Sequence, residues 1–189
     1  MNEELAAYIT RLCELSGYTT RIDDDVILVK PGEGYTDVYE AFTMVKEYYA
    51  YGYFERYSFS GSHFGSASFE IFKKFAMMHF AADIRAAHQL PPLNLPPVTD
   101  AHPGFSIEFH EPTSYLLTSK ASPIPTTYTI FSPNALVSLS YLMGTSSEDL
   151  LTLVLEPSGD GYVALFEGSP SSTPTGAKLQ NNSIHVSIL

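Results

Sequence analysis

The sequence predicts an α+β fold. It is read as an N-terminal helix and β-hairpin, antiparallel sheet or sheets packed with a long central helix, and a second αβ half after a proline-rich connector. Three observations carry this. Residues 69–88 hold Phe69, Phe72, Phe75, Ala76, Phe80, Ile84 and Ala87 in one apolar stripe at helical spacing. LPPLNLPPV (90–98) cannot continue that helix, because proline lacks an N–H and disfavours helix in the residue before it. Short β-prone runs separated by turn residues lie on both sides. The expected layout is an N-terminal half over 1–90, a connector over 91–99, a C-terminal half over 100–167 and a Pro/Ser/Thr-rich tail over 168–189.

Taken in order, Asn2 is a good N-cap, Glu3 and Glu4 suit the positive end of the helix dipole, and Leu5, Tyr8, Ile9, Leu12 and Leu15 predict a helix over 3–16. YTTRI and VILVK around Asp23, Asp24 and Asp25 predict a hairpin. In residues 37–57 the Asp37/Glu40 pair and the spacing of Val38, Ala41, Phe42 and Val45 predict a short helix to about 47. A strand follows over about 48–59. GSHFGSAS (61–68) is read as a flexible turn, with Ser66 or Ser68 capping the central helix. PGFSIEFHE, SYLLTSK and TTYTIFS predict antiparallel strands. A helix capped by Ser132, with Pro133 at its first position, runs to Gly144, another starts at Ser146 or Ser147, and GYVALFE is expected as a last core strand. NSIHVSIL fits an edge strand or a mobile tail.

Composition bounds the function. At 44% hydrophobic and 13% aromatic, 189 residues can bury a sizeable core. The net charge is -11, with five basic against eleven acidic side chains in residues 1–56. A duplex phosphate backbone or an anionic membrane would repel such a surface, so neither nucleic acid nor membrane is an expected partner. A basic protein partner would be drawn to it, although acidity also serves solubility alone. One cysteine, Cys13, excludes an intrachain disulfide and reads as a buried structural thiol. With no signal-peptide pattern and no membrane-length apolar run, a soluble cytoplasmic protein is expected.

A search for chemistry leaves little. There is no G-x-S-x-G, no P-loop and no G-x-G-x-x-G. The histidines His79 and His88 are nine apart, and Glu108 with His110 make at most a pair on one strand face, whereas metal sites need three or four ligands. No catalytic residue, metal or cofactor is expected. Arg85 is expected to cap helix carbonyls or to pair with an acid of the second half, fixing the hinge between halves. The least ordinary feature is the run Tyr35, Tyr39, Tyr48, Tyr49, Tyr51, Tyr53 and Tyr57. On strands these rings cannot all face one core. Exposed ones suit a protein interface, and the plain alternative is a sheet covered by tyrosines with hydroxyls at the rim.

The order of features also carries a resemblance. DIRAAHQLPPL (83–93), the PGF strand at 103–105, NALVSLSYLMGTSSEDLL (134–151) and LEPSGDGYV (155–163) together resemble the immunity proteins that neutralise the tuberculosis necrotizing toxin, the TNT-antitoxin family, over roughly residues 48–166. The resemblance implies a cytoplasmic bacterial inhibitor without catalysis of its own, bound to a secreted NAD-hydrolysing toxin domain whose NAD pocket it obstructs. GEG at 32–34 is similar to the family's GGE-like turn, and in that alignment 38–47 is strand rather than helix. The tail beyond 168 departs from the family. No contact residue is carried over. From the residues themselves, the candidate partner contacts are Asp23, Asp24, Asp25 and Glu33, as carboxylates set where phosphates would sit, or Tyr48, Tyr49, Tyr51 and Tyr53 as anchors. The alternatives are a regulatory or adaptor module with another protein partner, and a small-molecule-binding domain.

Overall fold

The computed structural model describes residues 2–30, 38–110, 112–130 and 132–167. The chain runs α1 (Glu3–Ser16), β1 (Thr19–Asp23), β2 (Val26–Lys30), β3 (Val38–Val45), β4 (Tyr48–Glu55), β5 (Ser58–Ser66), α2 (Phe69–Ala87), β6 (Phe105–His110), β7 (Ser114–Ser119), β8 (Thr127–Ile130), α3 (Asn134–Leu142), α4 (Ser147–Leu155) and α5 (Asp160–Glu167). All eight strands join in one antiparallel sheet of order β1-β2-β3-β4-β5-β8-β7-β6. The α+β expectation holds. The two halves on either side of the connector meet at the β5–β8 pair, where Phe64, Gly65 and Ser66 face Thr129, Tyr128 and Thr127.

Strand pleating makes two faces of this sheet. One register row crosses all eight strands: Ile22, Ile27, Phe42, Tyr51, Phe64, Thr129, Tyr115 and Phe109. Its middle is the core, with Ile27 and Phe42 fully buried and Phe64 nearly so, while Ile22 and Phe109 at the two edges are exposed. Helices α1 and α2 pack on this face, and α3 on the β6–β8 part of it. Helix α2 is the centre of the layer. The Ser68 Oγ accepts from the Ile71 amide at its start, as expected of one of the two serines proposed. Phe72, Phe75 and Phe80 are buried against Phe42, Phe64 and Tyr51, with Phe64 and Phe75 stacked at 3.8 Å between centroids.

The polar side chains of α2 are as structural as its phenylalanines. Lys74 is 7% exposed and donates through Nζ to the Met143 carbonyl at the end of α3, 2.8 Å away. Glu70 accepts from the Ser147 amide and hydroxyl at the start of α4. Arg85 is 1% exposed. Its guanidinium donates to the carbonyls of Val154, Glu156, Pro157 and Pro91 at 2.7, 2.7, 3.1 and 2.6 Å. One cation therefore closes the C-terminus of α4 and anchors the connector, where orphan carbonyls and the negative dipole end favour it. Of the two roles expected for Arg85, it takes the carbonyl one, but on another helix than its own. Gly159 is required beside it: φ is +74°, and a Cβ there would stand 2.6 Å from Leu93 and 3.2 Å from the guanidinium carbon.

Several expectations fail, among them the single strand over about 48–59, which the Arg56–Tyr57 turn divides into β4 and β5. Residues 38–45 are strand, not helix, as the family-like turn alternative foresaw. Ala41 and Phe42 are both fully buried on opposite faces, so the strand lacks clean alternation and mimics helical spacing. GSHFGSAS is mostly strand β5 rather than a turn. Gly61, at φ +113°, serves a bulged register between Tyr51 and Phe54, and Gly65 leaves room for the Tyr128 ring. GYVALFE is helix α5: Tyr162 and Phe166, one turn apart, are the buried pair. Pro133 rather than Ser132 stands at the cap of α3, and the Ser132 Oγ accepts the Asn134 amide. The tail 168–189, with NSIHVSIL, lies outside the described residues.

Candidate protein-docking surfaces

The candidate contacts occupy both ends of the sheet. Asp24 and Asp25 form the β1–β2 turn, Asp24 at φ +51°, a left-handed conformation that aspartate tolerates. Thr43 Oγ1 donates to the Asp25 carbonyl at 2.9 Å, tying this turn to β3. Asp23 meets Arg21 at 3.3 Å in an exposed pair of small energetic weight. The turn borders a hollow of about 300 Å³ lined by Asn2, Leu5, Asp25, Ile27 and Met44. Asn2 Nδ2 lies 3.4 Å from the Met44 sulfur, so the first turn of α1, with exposed Glu3 and Glu4, belongs to the same end. The β3–β4 turn adds Lys46, at φ +57°, and Glu47. Carboxylates thus outnumber cations at this end, around the exposed side chain of Met44.

The tyrosines divide between the two faces. Tyr48 points to the face away from the helices and stands edge-on to Tyr128, 5.7 Å between centroids. The two rings, with His110, Ser114, Leu116 and Ile130, line a hollow of about 460 Å³. Tyr49 stacks on Phe69 at 4.8 Å under the start of α2. Tyr51 is 7% exposed among Phe42, Phe75 and His79, and burial drives its phenol far above the usual tyrosine range. Tyr53 is 36% exposed and lies edge-on to His63. Of the proposed four, Tyr53 is exposed, Tyr48 and Tyr49 are half-buried on opposite faces, and Tyr51 is buried. Tyr39 lies under the Arg21 guanidinium at 5.7 Å. Nearby, His79 Nε2 and Glu40 Oε2 pair at 2.9 Å in a half-buried contact between α2 and β3.

Glu33 lies outside the described residues. The strand ends flanking it, Lys30 and Val38, stand at the end of the sheet opposite the Asp23–Asp25 turn. That second end carries a feature the sequence reading passed over. The β4–β5 turn consists of Arg56 and Tyr57, at φ +51° and +65°, closed by the Glu55–Ser58 pair. Two left-handed central residues are the pattern of a type I′ turn, which favours Asn-Gly. Neither residue here is glycine or asparagine, and each such position costs of order 1–3 kcal/mol. Tyr57 is 97% exposed. The signal that could have found it is the pair ER-YS between two β-prone runs with no glycine to make the turn.

Glu108 and His110 share the face away from the helices, as expected, with Thr118 Oγ1 donating to Glu108 at 3.2 Å. Among the described residues no three His, Cys, Asp or Glu side chains gather as a metal site requires. No helix among them is long and apolar enough to cross a membrane. Cys13 is buried in α1, and its thiol is pushed up to about 12, chiefly by burial.

Comparison with known proteins adds two matches. The model of the family described as Immunity protein 61 matches residues 12–162. Rv3902c from M. tuberculosis shares the fold, with a TM-score of 0.64 and 21% sequence identity over 84% of this chain and 91% of that one. No curated protein matches the chain.

Proposed function

From the premise that this chain belongs to the immunity protein 61 family, we propose that it binds a cognate NAD-hydrolysing toxin domain and blocks its active site without turning over any substrate. A toxin-neutralising role, with a toxin as partner, follows from the family itself. The cytoplasm of the producing cell is where such an inhibitor acts. The observation that carries the finer reading is the gathering of Asp23, Asp24, Asp25, Glu3, Glu4 and Glu47 at one end of a rigid sheet in a protein of net charge -11. A cleft that binds a dinucleotide presents cations to its phosphates. A surface of fixed carboxylates is drawn toward such a cleft at long range and speeds the encounter. Tyr53, exposed on the helix-side face toward the β4–β5 turn, adds semi-rigid aromatic area.

The test is NAD consumption by the cognate toxin domain, with the purified chain added in steps. Consumption is expected to stop at one inhibitor per toxin. Undiminished consumption at a twofold excess would sink the proposal.

A further inference from the structure

We infer that Tyr57, at the tip of the β4–β5 hairpin, is the aromatic anchor that this protein inserts into a flat-ring slot of its toxin. This rests on the functional reading above and names the residue that fills the cleft. Three observations converge on that tip.

A large aromatic side chain that packs against none of the described residues gains no stability from contact with them. At 97% exposed, Tyr57 stands apart from Tyr51, whose ring is in the core, and from Tyr49, half-buried against Phe69. The turn also keeps two side chains where a bare backbone would fit better. Arg56 and Tyr57 both hold positive φ, and strain that folding does not need points to use elsewhere. Finally, the hairpin is bent. The β4–β5 register is shifted on both sides of Gly52, and a Cβ on Gly52 would come within 2.0 Å of the Gly61 carbonyl. Bulges of this kind bend a hairpin and redirect its tip.

The partner chemistry follows from the ring. An enzyme that cleaves NAD must hold planar nicotinamide and adenine rings between flat walls, in a pocket with a few placed polar groups. A phenol ring has the shape for such a slot, loses little rotamer freedom on insertion, and brings a hydroxyl for the rim. Exposed Glu55, one residue before the turn, sets a carboxylate beside it for cations that otherwise hold phosphate.

The experiment uses the full chain and the cognate toxin domain, with binding rates followed by surface plasmon resonance and inhibition by NAD consumption. Tyr57→Ala is expected to leave the melting temperature unchanged and to speed dissociation at least tenfold, with association little altered. Replacing Arg56→Asn together with Tyr57→Gly supplies the favoured turn residues. That variant is expected to melt higher than the wild type and yet to dissociate at least tenfold faster. A benzoylphenylalanine at position 57 is expected to cross-link to the toxin, and the same group at position 24 to do so less. Wild-type inhibition together with unchanged dissociation of Tyr57→Ala overturns the anchor and leaves the functional reading standing. A lower melting temperature in the double variant overturns the strain argument. Failure of the wild type to inhibit overturns the functional reading and the anchor with it.

Discussion

The two ends of the sheet are built on opposite principles. At one end, the Asp24–Asp25 and Lys46–Glu47 turns each need one left-handed residue, and charged side chains crowd around a shallow hollow. At the other, the Arg56–Tyr57 turn holds two left-handed residues and projects a bare ring. Strand β4 joins them, from Tyr48 to Glu55, over about 24 Å. Charges act at a distance, so the acidic end suits the rate of encounter. A ring acts only in contact, so the aromatic end suits the lifetime of the complex. The lesson is that a single scaffold can separate steering from holding by placing them at the two ends of the same strands.

The sharpest way to break the comparison is to remove the framework both ends share. Arg85→Met leaves four buried carbonyls without their donor, and a loss of about 3–5 kcal/mol is expected in urea unfolding, with both ends losing function together. A loss under 1 kcal/mol would show that the halves do not depend on that cation. Next in size, reversing Asp23, Asp24 and Asp25 to lysine should slow toxin association by about tenfold at low salt and flatten its salt dependence, with dissociation nearly unchanged. An effect confined to dissociation would erase the distinction between the ends.

The pH response tests the framework more gently. Burial pushes the Glu70 carboxyl upward, but Lys73 and the Ser147 amide and hydroxyl outweigh it, and the group sits below the usual glutamate value. A lowered folded value means stability that is present above the unfolded value, about 4.3, and is lost as pH falls through the lower folded one. Glu70→Gln should therefore flatten the fall in melting temperature below about pH 4.3, and an unchanged acid limb would refute that role. The smallest effect is expected at Tyr162, whose buried hydroxyl has no hydrogen-bond partner among the described residues. Tyr162→Phe should be neutral or stabilise by up to about 1 kcal/mol in the same unfolding measurement.

Much of the architecture was legible along the chain. The phenylalanine stripe of α2, the N-caps Asn2, Ser68 and Ser146 and the strands of the second half all use local rules of period and capping. Residues 38–45 and 160–167 were misread because their types argue one way and their neighbours another. Ala41 is buried by flanking strands rather than by alternation, and Tyr162 turns inward only because α3 lies beside it. Among the candidate contacts, the acid turn was visible as three consecutive aspartates. The exposure of Tyr53 beside buried Tyr51 on the same face was not, since α2 covers only part of that face.

By itself, the sequence determined the class of the fold, its acidic character and its membership of an immunity-protein family, because composition, period and motif order are properties of neighbours along the chain. Only the tertiary structure decided that Lys74 and Arg85 are buried caps for other helices, that the carboxylates and Tyr57 stand at opposite ends, and which rings face outward. Those facts depend on strand register and on what packs above each face, and register is an agreement between segments distant in sequence.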